Sequence, residues 1–253
     1  MYAPERYRSI VERVRGKGRA SVTDLAEDLA VTPETIRRDL SELERQGLVR
    51  RVHGGAVPVG SVGFEASIDS RAKVLIDEKN RIAKAALVEV PQAGAIILDS
   101  GTTTSRLIQL IPDDRELTVI TDSVAHALSL ANRINVTVML IGGRVRGKTL
   151  ATVDQWALDA LKNVYADVAL LGTNGISIER GLTTPDQPEA AVKRAMLNSA
   201  KRKVILADHT KFGDDHFASF GDLTDIDVVI TDRGVDQNYA EKIELLDVKV
   251  VQA

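Results

Sequence analysis

The sequence predicts an α/β protein in two parts: a small module of three helices and a hairpin, then a larger, mostly parallel, doubly wound sheet. Three observations carry this. The first 57 residues show helical apolar spacing that ends in a basic, glycine-tipped hairpin pattern. Beyond residue 76, short apolar runs of strand length alternate with helical patterns, the signature of a parallel sheet covered on both faces. The chain has 253 residues, 44% of them hydrophobic, which exceeds one average domain and is enough for a sizeable core.

Composition narrows the function classes. A charged fraction of 27% is ordinary for a globular chain, and with aromatics at only 4% the core must be aliphatic. No apolar run approaches the roughly 20 residues of a membrane helix. The first residues are charged throughout and have no apolar h-region, so they do not form a secretory signal. There are no cysteines, which excludes disulfides, thiolate metal ligands and a cysteine nucleophile, and a reducing, cytoplasmic compartment is expected. Net charge is −3, but residues 1–57 carry 11 Lys/Arg against 9 Asp/Glu, while the rest carry 22 against 27. That split permits a small basic module with a specific polyanionic target. The expected division is 1–57, a linker 58–75 opening on the Pro58–Gly63 seam, and 76–253.

Residues 4–15 place Tyr7, Ile10, Val11 and Val14 on one helical face. Ser21 is positioned to cap a short second helix that buries Val22, Leu25, Ala26 and Leu29. After a break at Ala30-Val31, Thr32 caps a third helix with Pro33 in its first turn. Ile36, Leu40 and Leu43 face inward there, leaving Glu34, Arg38, Ser41 and Arg45 outward with Thr35 and Arg37 on the flanks. Gly47 ends that helix, and 48–57 reads as a basic hairpin. Two helices across a short turn, the second presenting Thr35, Arg37 and Arg38, make a winged helix-turn-helix whose recognition helix would enter a DNA major groove.

Past the seam, 77–90 reads as a helix. Strands are expected at 95–98, 117–121, 136–141, 168–171, 203–207, 228–231 and 248–251, with helices at 104–111, 124–133, 152–164, 188–200 and 235–245. Ligands of such sheets bind beyond the strands' carboxyl ends. Those ends carry Asp99-Ser100-Gly101-Thr102-Thr103-Thr104, Asp122-Ser123, Gly142-Gly143-Arg144, Gly172-Thr173-Asn174-Gly175 and Asp208-His209-Thr210-Lys211. Hydroxyls beside a glycine turn at a helix N-terminus favour an anion such as phosphate, and Arg144, Lys193 and Lys211 are the candidate cations. His126 is expected at the surface, and Trp156 in the core or at an interface.

These stretches resemble the DeoR family of regulators. The run Val31-Thr32-Pro33-Glu34-Thr35-Ile36-Arg37-Arg38-Asp39-Leu40, followed by Arg51-Val52-His53-Gly54-Gly55-Ala56, is similar to the family's DNA-binding domain. The resemblance implies Ser21, Thr32, Thr35, Arg37 and Arg38 as helix-turn-helix residues at the DNA, with Arg51 and His53 on the wing. Leu98–Thr103, Gly142-Gly143, Gly181–Asp186, Glu189–Met196, Ala207–Gly213 and Ile230–Asp232 resemble the family's C-terminal sensor domain, related in fold to ribose-5-phosphate isomerase. It implies a repressor of sugar uptake or catabolism that a phosphorylated sugar releases from double-stranded operator DNA. Helix-turn-helix proteins commonly bind paired half-sites as dimers, so a homodimer or homotetramer is expected, with no cofactor and no catalysis. The effector would lie among Asp99 to Thr104, Asp122, Ser123, Gly142, Gly143, Arg144, Asn174, Glu189, Lys193, Asp208 and Lys211, with fructose 1-phosphate or fructose 1,6-bisphosphate suggested by the look of the family. Asp122 stands where such regulators often have asparagine, and Asp154 where many have glycine.

Three other readings compete. Gly142 to Thr149 fits the phosphate-loop pattern GxxxxGK[ST], which calls for a strand before it and a helix after it. Glu189 and the Asp208/Lys211 pair resemble a sugar-phosphate isomerase, but that enzyme's acidic loop is replaced by Gly172-Thr173-Asn174-Gly175. Asp208, His209, Asp214, Asp215 and His216 have suitable residue types for a metal, in a spacing that matches no standard zinc pattern. A sensor that binds a sugar phosphate without turning it over accounts for most of these residues.

Overall fold

In the computed structural model, which describes residues 2–17, 19–52, 54–58 and 65–253, two units meet between Val74 and Leu75. The first begins with helix α1 (Ala3–Lys17) and strand β1 (Ala20–Ser21). Helices α2 (Val22–Asp28) and α3 (Pro33–Arg45) follow, then strands β2 (Val49–Val52) and β3 (Gly55–Pro58) and helix α4 (Ile68–Ala72). Apolar spacing sets the packing: Ile10, Val14, Val22, Leu25, Leu29, Ile36, Leu40 and Leu43 share one buried cluster. Ser21 and Thr32 cap their helices as their residue types require, accepting from the amides of Asp24 and Thr35. Ala30 makes the turn between them at φ 51°. The strands form one antiparallel sheet in the order β1-β3-β2. Helix α4 lies inside the 58–75 segment expected to be linker; residues 59–64 are outside the described residues.

The second unit runs α5 (Ile76–Ala86), β4 (Ala93–Leu98), α6 (Thr102–Leu110), β5 (Glu116–Thr121), α7 (Val124–Leu130) and β6 (Val136–Leu140). It continues through β7 (Arg144–Val145), β8 (Thr152–Val153), α8 (Gln155–Leu161), β9 (Ala166–Gly172), β10 (Gly175–Ser177) and β11 (Gly181–Thr184). Helix α9 (Gln187–Asn198), β12 (Ala200–Leu206), β13 (Ala218–Gly221), β14 (Val228–Thr231), α10 (Gln237–Glu244) and β15 (Lys249–Gln252) complete it. Seven strands form the parallel sheet β15-β14-β12-β9-β4-β5-β6. Side chains alternate between its faces. Ile97, Leu171 and Ile205 join α8, α9 and α10 in one core, and Ile96, Leu98, Leu170 and Val204 join α5 and α6 in the other. After β4 the chain winds outward through β5 and β6, then returns to place β9 on the other flank of β4. The order therefore reverses between β4 and β9, and a doubly wound sheet opens its binding crevice at that point.

Several local expectations are corrected. The helix expected over 152–164 begins with strand β8, and only Gln155–Leu161 is helical. β10, β11 and β13 build a separate antiparallel sheet that the apolar-run reading did not contain, because its strands are short and rich in glycine, serine and threonine. Trp156 is 78% exposed and is not a core residue, and His126 is buried rather than at the surface. The phosphate-loop pattern folds as an antiparallel hairpin, with Arg144 opposite Val153 and Val145 opposite Thr152. The next helix starts six residues after Thr149, whereas a phosphate loop runs straight into its helix.

Asp154, just before α8, holds φ 77° and ψ −169°, a region that side chains other than glycine's rarely occupy. Its carboxylate does not cap α8 but pairs with exposed Arg144 at 2.7 Å. Asp154→Ala retains the Cβ strain and loses the pair, whereas Asp154→Gly removes the strain. Urea unfolding should find the glycine variant more stable than the alanine variant by about 1–3 kcal/mol; equal stabilities would mean this backbone carries no cost.

Candidate functional site

The first unit presents its candidate interface on α3. Pro33 and the Thr32 cap start the helix, and Ile36, Leu40 and Leu43 fix its inner face. Arg37 and Arg38 stay exposed, with Thr35 half-buried beside them. Arg37 pairs with Glu34 at 3.1 Å, an exposed link of little energetic weight. Asp39 was not singled out from the sequence, yet it is buried and accepts two hydrogen bonds from Arg6 of α1, at 2.5 and 3.0 Å. This pair locks the helix that carries Arg37 and Arg38 onto α1. Arg51, on β2, donates to Ser41 Oγ at 2.8 Å, and its amide donates to Glu44 at 2.9 Å, so the start of the wing is tied to the same helix. The glycine pair beyond it has a steric reason. Gly54 turns at φ 77°, and a Cβ on Gly55 would lie 2.2 Å from the Ala20 carbonyl oxygen. His53 lies outside the described residues.

The second unit has its polar cluster where the sheet order reverses. Asp99 follows β4 and is fully buried. One of its oxygens accepts from the Gly101 amide and Thr104 Oγ1, both at 3.2 Å, and the other from the Gly172 amide at 2.8 Å and from Lys193 Nζ. Lys193 also donates to the Gly172 carbonyl at 3.0 Å. Burial pushes the Asp99 carboxyl upward, but the Lys193 charge and these hydrogen bonds outweigh it and hold the group below its ordinary range. Lys193 mirrors this: burial disfavours its charge, and Asp99 with Glu189 more than restores it. Helix α6 starts at Gly101 without a side-chain cap, so its first-turn amides are not claimed by a capping side chain. The one Thr104 hydroxyl proton is shared between Asp99 and the Gly101 carbonyl, 2.8 Å away, and Ser105 Oγ donates to the same carbonyl at 3.0 Å, which fixes the turn.

Around this pair stand further polar groups. Leu98 and Thr121 are register partners, so Asp122 lies beside Asp99 at the end of the neighbouring strand. It is fully buried, and burial, reinforced by the Asp99 charge, raises its carboxyl well above the ordinary range. Ser123 caps α7 through the His126 amide at 3.2 Å. His126 Nε2 is 2.7 Å from Ser105 Oγ, and burial lowers the ring to about 4, so it is neutral at pH 7. Glu189, buried on α9, pairs with Arg146 and accepts from Thr149 Oγ1 at 3.3 Å. Arg146 also reaches Asp186 at 3.3 Å.

The structure thus brings together Asp99, Ser100, Gly101, Thr102, Thr103, Thr104, Asp122, Ser123, Glu189 and Lys193. Arg144 points elsewhere, exposed against Asp154; the arginine that joins the buried acids is Arg146, hidden within the phosphate-loop pattern. Gly142 is exposed, and Gly143, at φ 142°, has no room for a Cβ, which would lie 2.4 Å from the Val153 carbonyl oxygen. The Asn174 side chain accepts from Thr184 Oγ1 at 3.1 Å. Asp208 and Lys211 gather further along the rim, beyond β12. Burial raises the Asp208 carboxyl, but Lys211 at 4.0 Å, Thr210 and the buried Lys79 of α5 bring it below its ordinary range. His209 turns to Asp232 at 2.8 Å, and among the described residues no three His, Asp or Glu side chains converge as metal ligands.

A winged helix-turn-helix in one unit and, in the other, a doubly wound sheet with a charged cluster at its switch point make the anatomy of a ligand-responsive transcriptional regulator. The chain belongs to the DeoR family. The DeoR-like helix-turn-helix domain matches residues 6–62, and the DeoR C terminal sensor domain matches residues 75–233. The HTH-type transcriptional regulator GlpR of Haloferax volcanii is 39% identical over 251 residues, covering 99% of this chain and 98% of its own. The glycerol-3-phosphate regulon repressor of Escherichia coli (strain K12) is 30% identical over 233 residues, 92% of each chain. The HTH-type transcriptional repressor GlcR of Bacillus subtilis is 31% identical over 244 residues, 96% of this chain and 94% of its own. A ribose 5 phosphate isomerase A from Neisseria gonorrhoeae shares 16% identity over 55% of this chain and 54% of its own, with a TM-score of 0.38, too slight a likeness to locate a site. With both family domains in place and relatives that are regulators by name, the chain is a DNA-binding transcriptional regulator of this family. Among the described residues no helix is long and apolar enough to cross a membrane.

Removing one member of the buried pair leaves its partner's charge uncompensated. Lys193→Met should cost about 3–5 kcal/mol in urea unfolding, and the double variant with Asp99→Asn should lose less than the sum of the singles. Additive losses would show that the pair is not coupled. The depressed Asp99 carboxyl contributes stability above its unfolded value near about 4 and loses it as pH falls through the folded value; Lys193, raised, contributes below about 10.4 and loses it as pH rises through its own. The acid limb of wild-type stability should therefore flatten in the double variant.

Proposed function

We propose that this regulator represses genes of sugar uptake or catabolism and leaves its operator when a phosphorylated sugar occupies the switch-point site. The observation that carries the reading is the buried Asp99–Lys193 pair, which holds the uncapped N-terminus of α6 at the crevice mouth. Free amides and the positive end of a helix dipole suit a phosphoryl group. The names of the relatives, a glycerol-3-phosphate regulon repressor among them, support a small phosphorylated effector. Fructose 1-phosphate and fructose 1,6-bisphosphate are the first candidates. Asp99 to Thr104, Asp122, Ser123, Glu189 and Lys193 form the core of this site; Gly142, Gly143, Arg144, Asn174, Asp208 and Lys211 supply its rim.

On the DNA side, Thr35, Arg37 and Arg38 read base edges or phosphates, while Arg51 and His53 bring the wing to the backbone. Ser21 and Thr32 act by capping the helices that present them. Paired half-sites call for a homodimer or homotetramer acting in the cytoplasm. The effector releases DNA only if it binds the low-affinity state more tightly than the operator-bound one.

Thermal shift against fructose 1-phosphate, fructose 1,6-bisphosphate, glycerol 3-phosphate, free fructose and ATP tests the sensor. A phosphorylated sugar at 100 times its Kd should stabilise the protein by about 2.7 kcal/mol; stabilisation by free fructose or ATP alone defeats the reading. Lys211→Ala should raise the effector concentration needed for operator release about tenfold. Arg38→Ala should weaken operator binding by about 1–3 kcal/mol in a titration at fixed salt. Unchanged affinity would put the recognition surface elsewhere.

A further inference from the structure

Among the described residues of the switch-point cluster, Asp122 is an acid that forms no ion pair of its own. Asp99 has Lys193, and Glu189 has Arg146, itself shared with Asp186. Asp122 is fully buried, and among the described residues neither of its carboxyl oxygens has a hydrogen-bond partner. Its backbone is firmly held, with the carbonyl accepting from the Thr152 amide at 2.8 Å and Thr152 Oγ1 at 3.2 Å, so the side chain is not loosely placed. The charged groups around it are Asp99 at the end of β4 and Lys193 and Glu189 on α9. His126, on the same segment, is neutral at pH 7. An ionised carboxylate here would face two acids and share one lysine already committed to Asp99. A buried polar group without a partner costs about 1–3 kcal/mol, so each such group in a folded protein calls for a reason.

We propose that Asp122 contacts the effector directly as a neutral carboxylic acid, donating its O–H to an oxygen of the phosphorylated ligand held at the N-terminus of α6. The inference rests on the sensor reading above and adds to it the chemical form of one recognition group. A neutral donor suits an anionic ligand, since a second carboxylate beside Asp99 would repel it. The strand register supplies the geometry: Asp99 anchors the α6 turn, and Asp122 stands one strand away, about 4.8 Å across the sheet, on the same rim.

Infrared difference spectroscopy of the full chain reads this directly, because the C=O stretch of a protonated carboxyl is separate from that of carboxylates. The free wild-type protein should show such a band, absent in Asp122→Asn, and the band should shift when fructose 1-phosphate binds. A shift with inorganic phosphate as well would assign the contact to a phosphoryl oxygen; a shift only with fructose 1-phosphate would assign it to a sugar oxygen. Asp122→Leu, neutral but unable to hydrogen-bond, should bind fructose 1-phosphate at least about tenfold more weakly than Asp122→Asn, the usual worth of one such bond. Absence of the Asp122 band, or a band unmoved by a ligand that binds, overturns the proposal while leaving the sensor reading standing. Wild-type protein that binds none of the sugar phosphates defeats the sensor reading and this inference together. If Asp122→Leu does not fold, the wild-type band decides.

Discussion

The ion pair between Asp99 and Lys193 organises the larger unit, because it joins the loop ends just past the last paired residues of β4 and β9. At the switch point the connections from β4 and β9 leave in opposite directions, and β4 pairs with β9 only as far as Leu98 and Leu170, so Gly172 extends past the end of β4. Asp99 accepts the Gly172 amide and Lys193 donates to the Gly172 carbonyl, so both polar groups of that peptide position are satisfied by side chains. The same carboxylate receives the Gly101 amide and Thr104 hydroxyl, which sets where α6 begins. One buried pair therefore ties β4, β9, α6 and α9 together. Its net stabilisation is modest once desolvation is counted, but leaving either charge unpaired is expensive, which makes the arrangement specific.

A cluster this rich in buried acids is also responsive. Glu189 on α9 is held by Arg146 from the β7–β8 hairpin, so a displacement of the helix changes a buried ion pair in a neighbouring loop. In a low-dielectric crevice such changes are worth far more than on the surface. A ligand that adds negative charge beside these groups redistributes the pairing, and a difference in that redistribution between two conformations is what coupling to DNA requires.

The smaller unit uses the same device on a simpler scale. Aliphatic side chains set the depth of α3, but the Arg6–Asp39 pair between α1 and α3 sets its rotation, because two directed hydrogen bonds resist a turn that apolar packing tolerates. The tie from Arg51 to Ser41 and the close approach of Gly55 to Ala20 then position the sheet against that helix.

By itself the sequence determined the secondary elements that bury apolar side chains: the three helices and hairpin of the first unit, all seven parallel strands, and the loops bearing Asp99, Asp122 and Asp208. Periodicity reports burial, and these elements are defined by it. Helix caps were legible at Ser21 and Thr32 for a related reason, since capping is local chemistry. Tertiary structure alone decided the partners of the polar groups. Arg144 and Arg146 are equivalent in sequence, yet only Arg146 reaches the buried acids. His126 sits on a polar-looking segment and is buried. Asp39 reads as part of a charged helix and is a core ion-pair member. Lys193 meets Asp99 across 94 positions of chain. Charged side chains follow no burial period, and their environment depends on which distant element the fold brings within a few ångströms, a relation no local pattern encodes.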